Sequence, residues 1–221
     1  IGGKTMLECV HERVAQARLV DRLGIATDDP RIAAAAQAFG AQVWMTSAAH
    51  STGTERVAEV AGGESAEIIV NVQGDEPLID PAAIDQAIAP LLEPDPPSMA
   101  TLKKRISDSR DLDDPNVVKV VTDRAGNAIY FSRSLIPFPR DPRQLAHFKH
   151  IGLYVYRRDF LLGYGRLPIG PLETAEKLEQ LRALENGYTI RVLETDYESI
   201  GVDTPEDLAR VRKLLEAPAA P

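Results

Sequence analysis

Two adjacent carboxylates, Asp75 and Glu76, follow a short apolar segment in a position where acidic side chains can act on a ligand. Residues 68–72 are mostly β-branched, which is typical of a strand buried on both faces of a parallel sheet. Gly74 permits a close backbone approach, and Pro77 stops strand pairing because it has no amide hydrogen. The carboxylates therefore lie at the carboxyl end of a buried strand, where open α/β sheets bind ligands. The alternative is that both are turn residues or caps of the next helix.

A third carboxylate, Asp203, precedes the last predicted helix. Thr204 is the expected N-terminal cap of that helix, and Pro205 is its first residue. Because a cap does not require an acidic residue in front of it, the carboxylate of Asp203 is available for another role.

A hydroxyl-rich segment, residues 46–56, leads into a helix predicted to begin near Gly53. Small hydroxyls and the unpaired amides of a helix N-terminus can bind the polar edge of a ligand. Ordinary N-capping by Thr52 or Thr54 explains the same composition equally well.

Further polar residues lie on a predicted strand, residues 149–156, and on a predicted helix, residues 172–186. Alternation along the strand places His150 and Tyr154 on one face, which is also the pattern of an ordinary half-solvated face. In the helix, the i, i+3 and i+4 rule gives a shared polar face, for which solvation is the usual explanation. The residues of that face are Glu173, Glu176 and Gln180.

The composition narrows the class of protein. The chain has 221 residues, enough for one sizeable domain, and a formal net charge of -8, which argues against a nucleic-acid partner. Its one cysteine, Cys9, allows no internal disulfide, so we expect a reducing compartment and a cytoplasmic protein. No apolar segment is long enough to cross a bilayer, so we expect no membrane contact.

Strand and helix patterns alternate along the chain. They predict an α/β fold with a mixed, mostly parallel sheet in a single domain over residues 1–221. Residues 117–132 are typical of a β-hairpin, which with a proline-rich segment forms an arm within about residues 104–148. Nucleotide-binding domains of this class normally begin with a strand and a phosphate-binding loop. Neither pattern precedes the first predicted helix, so we expect both to be absent from this chain.

Six segments, in order and at compatible spacing, resemble the cytidylyltransferases that activate 3-deoxy-manno-octulosonate (Kdo), the CMP-Kdo synthetases. They are GTERVAEV (53–60), NVQGDEP (71–77), YFSRSLIP (130–137), KHIGLYVYRRDFL (149–161), LETAEKLEQLRALENG (172–187) and GVDTPEDLARVRKLL (201–215). Together they extend over nearly the whole chain. The sequence departs from the family at the amino-terminal strand and basic loop, and in a segment between Pro142 and Lys149 that is shorter than expected.

The resemblance implies a Rossmann-like nucleotidyltransferase three-layer sandwich. The implied reaction transfers CMP from CTP to the anomeric hydroxyl of Kdo and releases pyrophosphate, for lipopolysaccharide biosynthesis. The implied cofactor is Mg²⁺, held by Asp75 and Asp203, since phosphoryl transfer needs charge neutralisation and Mg²⁺ takes one or two carboxylates. Cytosine and ribose would contact Thr52, Gly53, Thr54 and Gln73.

For the acid sugar, the resemblance implies five residues: Arg133, His150, Tyr154, Glu176 and Gln180. The guanidinium of Arg133 would pair with the Kdo carboxylate, whose two oxygens match its planar geometry. Glu176 would accept hydrogen bonds from sugar hydroxyls, and Gln180 would donate and accept them.

Two alternatives remain open from the sequence. The first is a cytidylyltransferase for a related acid sugar, such as 8-amino-Kdo or a sialic-type acid, with a different sugar pocket. The second is a non-catalytic nucleotide-binding remnant, because a chain without the phosphate loop is expected to fold but to be nearly inactive.

The resemblance also implies a homodimer formed through the arm. Three apolar residues of the arm lie in a segment whose pattern does not suit the core, which supports this expectation. They are Leu135, Ile136 and Phe138.

Overall fold

The computed structural model describes residues 1–141 and 146–216. These residues form two compact units. The described residues of the first unit are 1–64, 71–85 and 197–216, and those of the second are 65–70 and 86–196. Each unit therefore brings together residues that are far apart in the sequence.

The helices are α1 (Met6–Val14), α2 (Pro30–Ala38), α3 (Gly53–Gly63), α4 (Pro81–Ile88), α5 (Arg110–Asp113), α6 (Arg158–Tyr164), α7 (Pro171–Glu176), α8 (Gln180–Glu185) and α9 (Pro205–Glu216). The strands are β1 (Ile25–Thr27), β2 (Val43–Met45), β3 (Ile68–Asn71), β4 (Met99–Arg105), β5 (Lys119–Thr122), β6 (Ala128–Ser132), β7 (Phe148–Arg157) and β8 (Ile190–Glu194). A 3₁₀ turn, Ala89–Leu92, follows α4. No described helix is long and apolar enough to span a membrane.

The first unit contains a two-stranded parallel sheet, in which β1 pairs with β2. Helix α2 connects these strands, as a parallel pair requires, and buries Ala33 and Ala36. Helices α1, α2 and α3 of this unit each begin at a side-chain cap. Thr5, Asp29 and Thr52 accept hydrogen bonds from backbone amides in the first turns of α1, α2 and α3.

The second unit contains a six-stranded mixed sheet in the order β6-β5-β7-β4-β8, and β3 also pairs with β7. The predicted α/β class and mixed sheet are confirmed, and β5 and β6 form the predicted hairpin. The sheet is less parallel than predicted, because β7 runs antiparallel to both β4 and β5 while β4 and β8 are parallel. Its core includes Leu102, Val120, Phe131, Ile151 and Ile190.

Strand β7 bulges opposite Thr101 of β4. Ala100 pairs with Val155 while Leu102 pairs with Ile151, so three residues of β7 face one residue of β4. Such a bulge bends a strand and changes the direction in which its side chains project.

The predicted helix over residues 172–186 is wrong in one respect, because the structure divides it into α7 and α8. Lys177 ends α7 in the left-handed conformation, with φ of 54°. Its amide donates to the carbonyl of Glu173, which closes the turn. This break has no signal in the sequence, since glycine or asparagine is usual at such a position.

Two short helices, α5 and α6, were not predicted. The end of the predicted proline-rich segment and part of the segment before Lys149 fall on residues 142–145, which lie outside the described residues. The single nucleotidyltransferase domain and the dimerisation arm stay predictions.

Candidate active site

Asp75 lies in the turn that follows β3, in the first unit. Its Oδ1 atom is buried and accepts no hydrogen bond from the described residues. Burial raises the pKa of the Asp75 carboxyl, and the neighbouring negative charge of Asp203 raises it further. A buried carboxylate oxygen without a donor, beside a second carboxylate, is costly unless a cation occupies the space between them.

The segment that carries Asp203 is attached to this turn by three hydrogen bonds. The Val202 amide donates to the Asp75 carbonyl at 3.0 Å. The hydroxyls of Tyr197 and Ser199 donate to the two carboxylate oxygens of Glu76 at 2.6 and 2.5 Å. These bonds place Asp203 next to Asp75 although 128 positions separate them (203 − 75).

Asp203 itself is exposed, and the described residues donate no hydrogen bond to its carboxylate. Thr204 caps α9 as predicted, because its Oγ1 accepts from the Asp207 amide at 3.1 Å while Asp207 accepts in return from the Thr204 amide. The carboxylate of Asp203 therefore takes no part in the cap.

Glu76 differs from Asp75 in its role. Both of its oxygens are engaged in the tether, and the residue is 9% exposed. Neither acid caps the following helix, since Asp80 Oδ1 accepts from the Ala82 amide there. Of the alternative that these acids are turn residues or caps, the capping part is thus wrong, while Asp75 does lie in a turn and keeps an unengaged oxygen.

No group of three or more His, Cys, Asp and Glu side chains within residues 1–141 and 146–216 is arranged to hold a metal by itself. A pair of carboxylates suits Mg²⁺, which retains water or phosphate oxygens in its remaining positions. The orphaned Oδ1 of Asp75 beside Asp203 fits such an ion.

The residues expected to contact the nucleotide also lie in the first unit. Thr52 caps α3, with its Oγ1 3.2 Å from the Glu55 amide, so the capping interpretation holds for this residue. Thr54 is buried, while Gln73 is exposed. A Cβ atom on Gly53 would meet Asn71 Nδ2 at 3.8 Å, an ordinary contact, so space alone does not require glycine there.

The residues expected to contact the sugar lie in the second unit. His150 projects from β7, with its ring centroid 5.0 Å from that of Phe131 and 5.3 Å from that of Tyr154. Its Nε2 lies 2.9 Å from Thr101 Oγ1. Burial lowers the pKa of His150 to about 3, so the ring is neutral at physiological pH.

Tyr154 and Gln180 form a second polar pair. The Tyr154 hydroxyl donates to Gln180 Oε1 at 3.2 Å, and burial raises the pKa of Tyr154 well above its usual value. Gln180 is only 4% exposed, and its Nε2 has no hydrogen-bond partner among the described residues. An unpaired buried donor costs free energy, which an acceptor on a ligand would offset.

Glu176 accepts hydrogen bonds from β6 and the residue after it. Its oxygens lie 2.6 Å from Ser132 Oγ and 2.9 Å from the Arg133 amide, with the Tyr130 hydroxyl at 3.4 Å. Burial alone would raise the pKa of Glu176, but these donors outweigh it and lower the pKa. The carboxylate is therefore ionised and held in place.

Arg133 is partly engaged by backbone carbonyls. Its Nε donates to Glu176 at 2.8 Å and its Nη1 to Pro115 at 2.9 Å. A side-on pair of bonds through Nε and Nη2 is therefore blocked at Nε. The guanidinium can still bind a carboxylate end-on, through Nη2 and the remaining hydrogen of Nη1.

The predicted single polar face of Glu173, Glu176 and Gln180 is wrong, because Glu173 and Glu176 lie on α7 while Gln180 lies on α8, and Glu173 and Gln180 are buried rather than solvated. Glu173 forms a buried two-point ion pair with Arg182, with distances of 2.7 and 2.6 Å. The break at Lys177 separates Gln180 from the two glutamates of α7.

The structure thus brings Asp75 and Asp203 together in one unit, and His150, Tyr154 and Gln180 together in the other. Sequence reasoning missed Thr101 and the tether through Glu76. The one available signal for Thr101 was a hydroxyl within an otherwise apolar buried run of β4.

Comparison with known proteins adds independent findings. A family model described as "Cytidylyltransferase" matches residues 1–195. A 3-deoxy-manno-octulosonate cytidylyltransferase of Solibacter usitatus is 64% identical over 218 residues, which are 98% of this chain and 86% of that protein. One of Syntrophotalea carbinolica is 58% identical, over 96% of this chain and 89% of that protein.

A solved structure gives the same picture at the level of the fold. It is a CMP:2-keto-3-deoxy-manno-octonic acid synthetase complexed with CTP, with a TM-score of 0.93 and 42% identity. The match covers 97% of this chain and 89% of that one. The predicted nucleotidyltransferase fold is thereby confirmed.

Proposed function

The chain belongs to the cytidylyltransferase family, and on this premise we propose that it transfers CMP from CTP to the anomeric hydroxyl of Kdo, giving CMP-Kdo and pyrophosphate. The observation that carries the proposal is 64% identity, over 98% of the chain, to a 3-deoxy-manno-octulosonate cytidylyltransferase. The similar solved structure, complexed with CTP, supports the nucleotide part. Within residues 1–141 and 146–216, no structural feature favours 8-amino-Kdo or a sialic-type acid over Kdo.

Asp75 and Asp203 hold Mg²⁺ in this proposal. The support is the buried Oδ1 of Asp75, which has no donor among the described residues, and the adjacent carboxylate of Asp203. When bound, Mg²⁺ neutralises phosphate charge and favours ionisation of the attacking hydroxyl. The two carboxylates fix the position of that positive charge relative to the turn after β3.

The sugar is oriented by residues of the second unit. Gln180 Nε2 donates to a sugar oxygen, which satisfies the amide that is otherwise unpaired. Glu176, ionised and held by Ser132 and Arg133, accepts from a hydroxyl. Arg133 binds the sugar carboxylate end-on, since its Nε is already engaged.

The nucleotide is bound by residues of the first unit. Gln73 presents an exposed side-chain amide, which can donate to and accept from the cytosine edge. Thr52 uses an oxygen lone pair to cap α3, which leaves its hydroxyl proton for the ligand. Gly53 and Thr54 supply the first amides of α3, which attract negative charge.

A homodimer in the cytoplasm completes the proposal. The exposed ring of Phe138, at 83% exposure, supports an association surface on the arm, together with half-buried Leu135 and Ile136. The lone thiol, Cys9, is compatible with a reducing compartment. Sedimentation equilibrium of Phe138→Ser beside the unaltered chain tests the dimer, which we expect the substitution to weaken.

The activity is tested by pyrophosphate release from CTP with Kdo, 8-amino-Kdo and a sialic acid offered separately. We expect release with Kdo, a CMP-Kdo product by mass spectrometry and loss of activity in EDTA that Mg²⁺ restores. Faster release with another acid sugar would contradict the substrate assignment. Full activity in EDTA would contradict the metal.

A further inference from the structure

Thr101 has a hydroxyl that lies within hydrogen-bond distance of three groups. Its Oγ1 is 2.8 Å from the Leu153 carbonyl oxygen, 3.0 Å from the Ile151 carbonyl oxygen and 2.9 Å from His150 Nε2. The residue is completely buried. A threonine hydroxyl has one proton to donate and two lone pairs with which to accept.

This proton count fixes the direction of the bond to His150. The carbonyls of Ile151 and Leu153 can only accept, so the hydroxyl proton is shared between them. The bond to the imidazole must then run the other way, with Nε2–H donating to Thr101 Oγ1. In a neutral imidazole with its proton on Nε2, the other nitrogen, Nδ1, is an acceptor.

Nothing in the described chain uses that acceptor, because none of the described residues donates to Nδ1 of His150. The low pKa of the ring, about 3, supports a neutral state. Nδ1 is therefore available to a ligand hydroxyl. The neighbouring Gln180 Nε2 is available to a ligand acceptor.

The same hydroxyl also supports the bulge that shapes this part of β7. Residues four apart on a regular strand are separated by roughly 13 Å. The rings of His150 and Tyr154, four apart, nevertheless lie 5.3 Å from each other between centroids. Thr101 bonds to two carbonyls within the segment that bulges, and so stabilises the geometry in which these rings meet.

We propose that Thr101 is a positioning residue for the sugar site, which sets the Nε2–H tautomer of His150 and so makes Nδ1 a hydrogen-bond acceptor for a hydroxyl of the acid sugar. This inference rests on the proposed function for its substrate, but the tautomer can be observed without any substrate. A purely structural role, in which Thr101 only fills the bulge, would affect stability and leave the tautomer unchanged.

The test is ¹⁵N NMR of the histidine-labelled chain at neutral pH. The chain has four histidines, and the resonances that disappear in His150→Gln are those of His150. We expect a protonated Nε2 and an unprotonated Nδ1 in His150. Thr101→Val, which keeps the shape but lacks the hydroxyl, should mix or reverse the tautomers, and Thr101→Ser should restore them. Thr27→Val removes a buried hydroxyl from β1 of the other unit and is the matched control.

Kinetics give the second measurement. Thr101→Val should raise the KM for Kdo roughly tenfold, the loss of one hydrogen bond, and leave the KM for CTP unchanged. A charged or Nδ1–H imidazole in the unaltered chain overturns the proposal, even if Thr101→Val fails to fold. The proposal is also overturned if Thr101→Val changes neither the tautomer of His150 nor the KM for Kdo. If the tautomers are as expected but no pyrophosphate is released with Kdo, the proposed function is refuted. The role of Thr101 in setting the tautomer of His150 is then still supported.

Discussion

The Val202 amide donates a 3.0 Å hydrogen bond to the Asp75 carbonyl, and this contact joins the two carboxylate-bearing segments of the first unit. It fixes the backbone one residue before Asp203 against the backbone of Asp75. The distance between the two carboxylates is therefore set by main-chain geometry as well as by their side chains. A metal site that has only two protein ligands depends on such a fixed distance, because no further side chain holds the ion in place.

The first prediction concerns Asp75 itself. Because burial raises its pKa, ionised Asp75 destabilises the metal-free fold, and this penalty grows as pH rises through its titration. Asp75→Asn should therefore raise the thermal midpoint at pH 7 without Mg²⁺. The same substitution should lower turnover with CTP and Kdo by at least about 100-fold, because it removes one of the two carboxylates proposed to hold Mg²⁺.

The matched control is Glu206→Gln, an exposed carboxylate three positions after Asp203. It should change neither the midpoint nor turnover. Calorimetry and pyrophosphate release measure the two quantities. Near-normal turnover of Asp75→Asn at saturating Mg²⁺ would contradict the assignment of Asp75 as a ligand of the ion.

The second prediction concerns the tether through Glu76. Tyr197→Phe removes one of the two hydroxyl donors to this buried carboxylate and should cost about 1–3 kcal/mol of unfolding free energy. Because the segment that carries Asp203 loosens, the Mg²⁺ concentration for half-maximal rate should rise several-fold. Tyr188→Phe, with a hydroxyl outside this network, is the control. An unchanged Mg²⁺ requirement in a destabilised Tyr197→Phe protein would limit Glu76 to a structural role.

Much of the fold could be predicted from the sequence because periodic apolar segments report local structure. The hairpin of β5 and β6, the cap at Thr204 and the position of β3 follow from such patterns. The break at Lys177 did not, because a lysine in the left-handed conformation carries no local signal. A buried ion pair between Glu173 of α7 and Arg182 of α8 spans the break, and helical periodicity does not encode such a contact.

The site was predictable to a similar extent. The pairing of Asp75 with Asp203 follows from strand ends and helix starts, combined with the family resemblance. The partners of Glu76 and Thr101 could not be predicted in this way. Those of Glu76 depend on hydrogen bonds between segments that are distant in the sequence, and those of Thr101 depend on a shift in strand register. Sequence periodicity does not encode either of these features.

The third prediction separates two glutamates that the sequence placed on one face. Glu173→Gln breaks a buried ion pair with Arg182 and should cost about 3–5 kcal/mol of unfolding free energy, with little effect on the KM for Kdo. Glu176→Gln should raise that KM about tenfold at a smaller cost in stability, because the proposed function makes its carboxylate the acceptor of a sugar hydroxyl. Urea unfolding and steady-state kinetics measure the two effects. The reverse pattern would contradict the assignment of Glu176 to the sugar.

The last prediction is a pH dependence of stability that belongs to His150. Its pKa falls from an ordinary 6.5 to about 3 in the fold, so the unfolded chain binds a proton at this position more readily than the folded one. The stabilising contribution is present above pH 6.5 and is lost as pH falls toward 3, with a slope of about 1.4 kcal/mol per pH unit. Between pH 7 and pH 5 the loss should be about 2 kcal/mol, and His150→Gln should lack this part of it. Urea unfolding of both proteins at the two pH values measures the difference, and His11→Gln, a substitution on α1 of the first unit, is the control. If the unaltered chain and His150→Gln lost the same unfolding free energy between pH 7 and pH 5, His150 would be protonated as readily in the folded state as in the unfolded one. Nδ1 of His150 would then carry a proton below neutral pH and could not accept a hydrogen bond there.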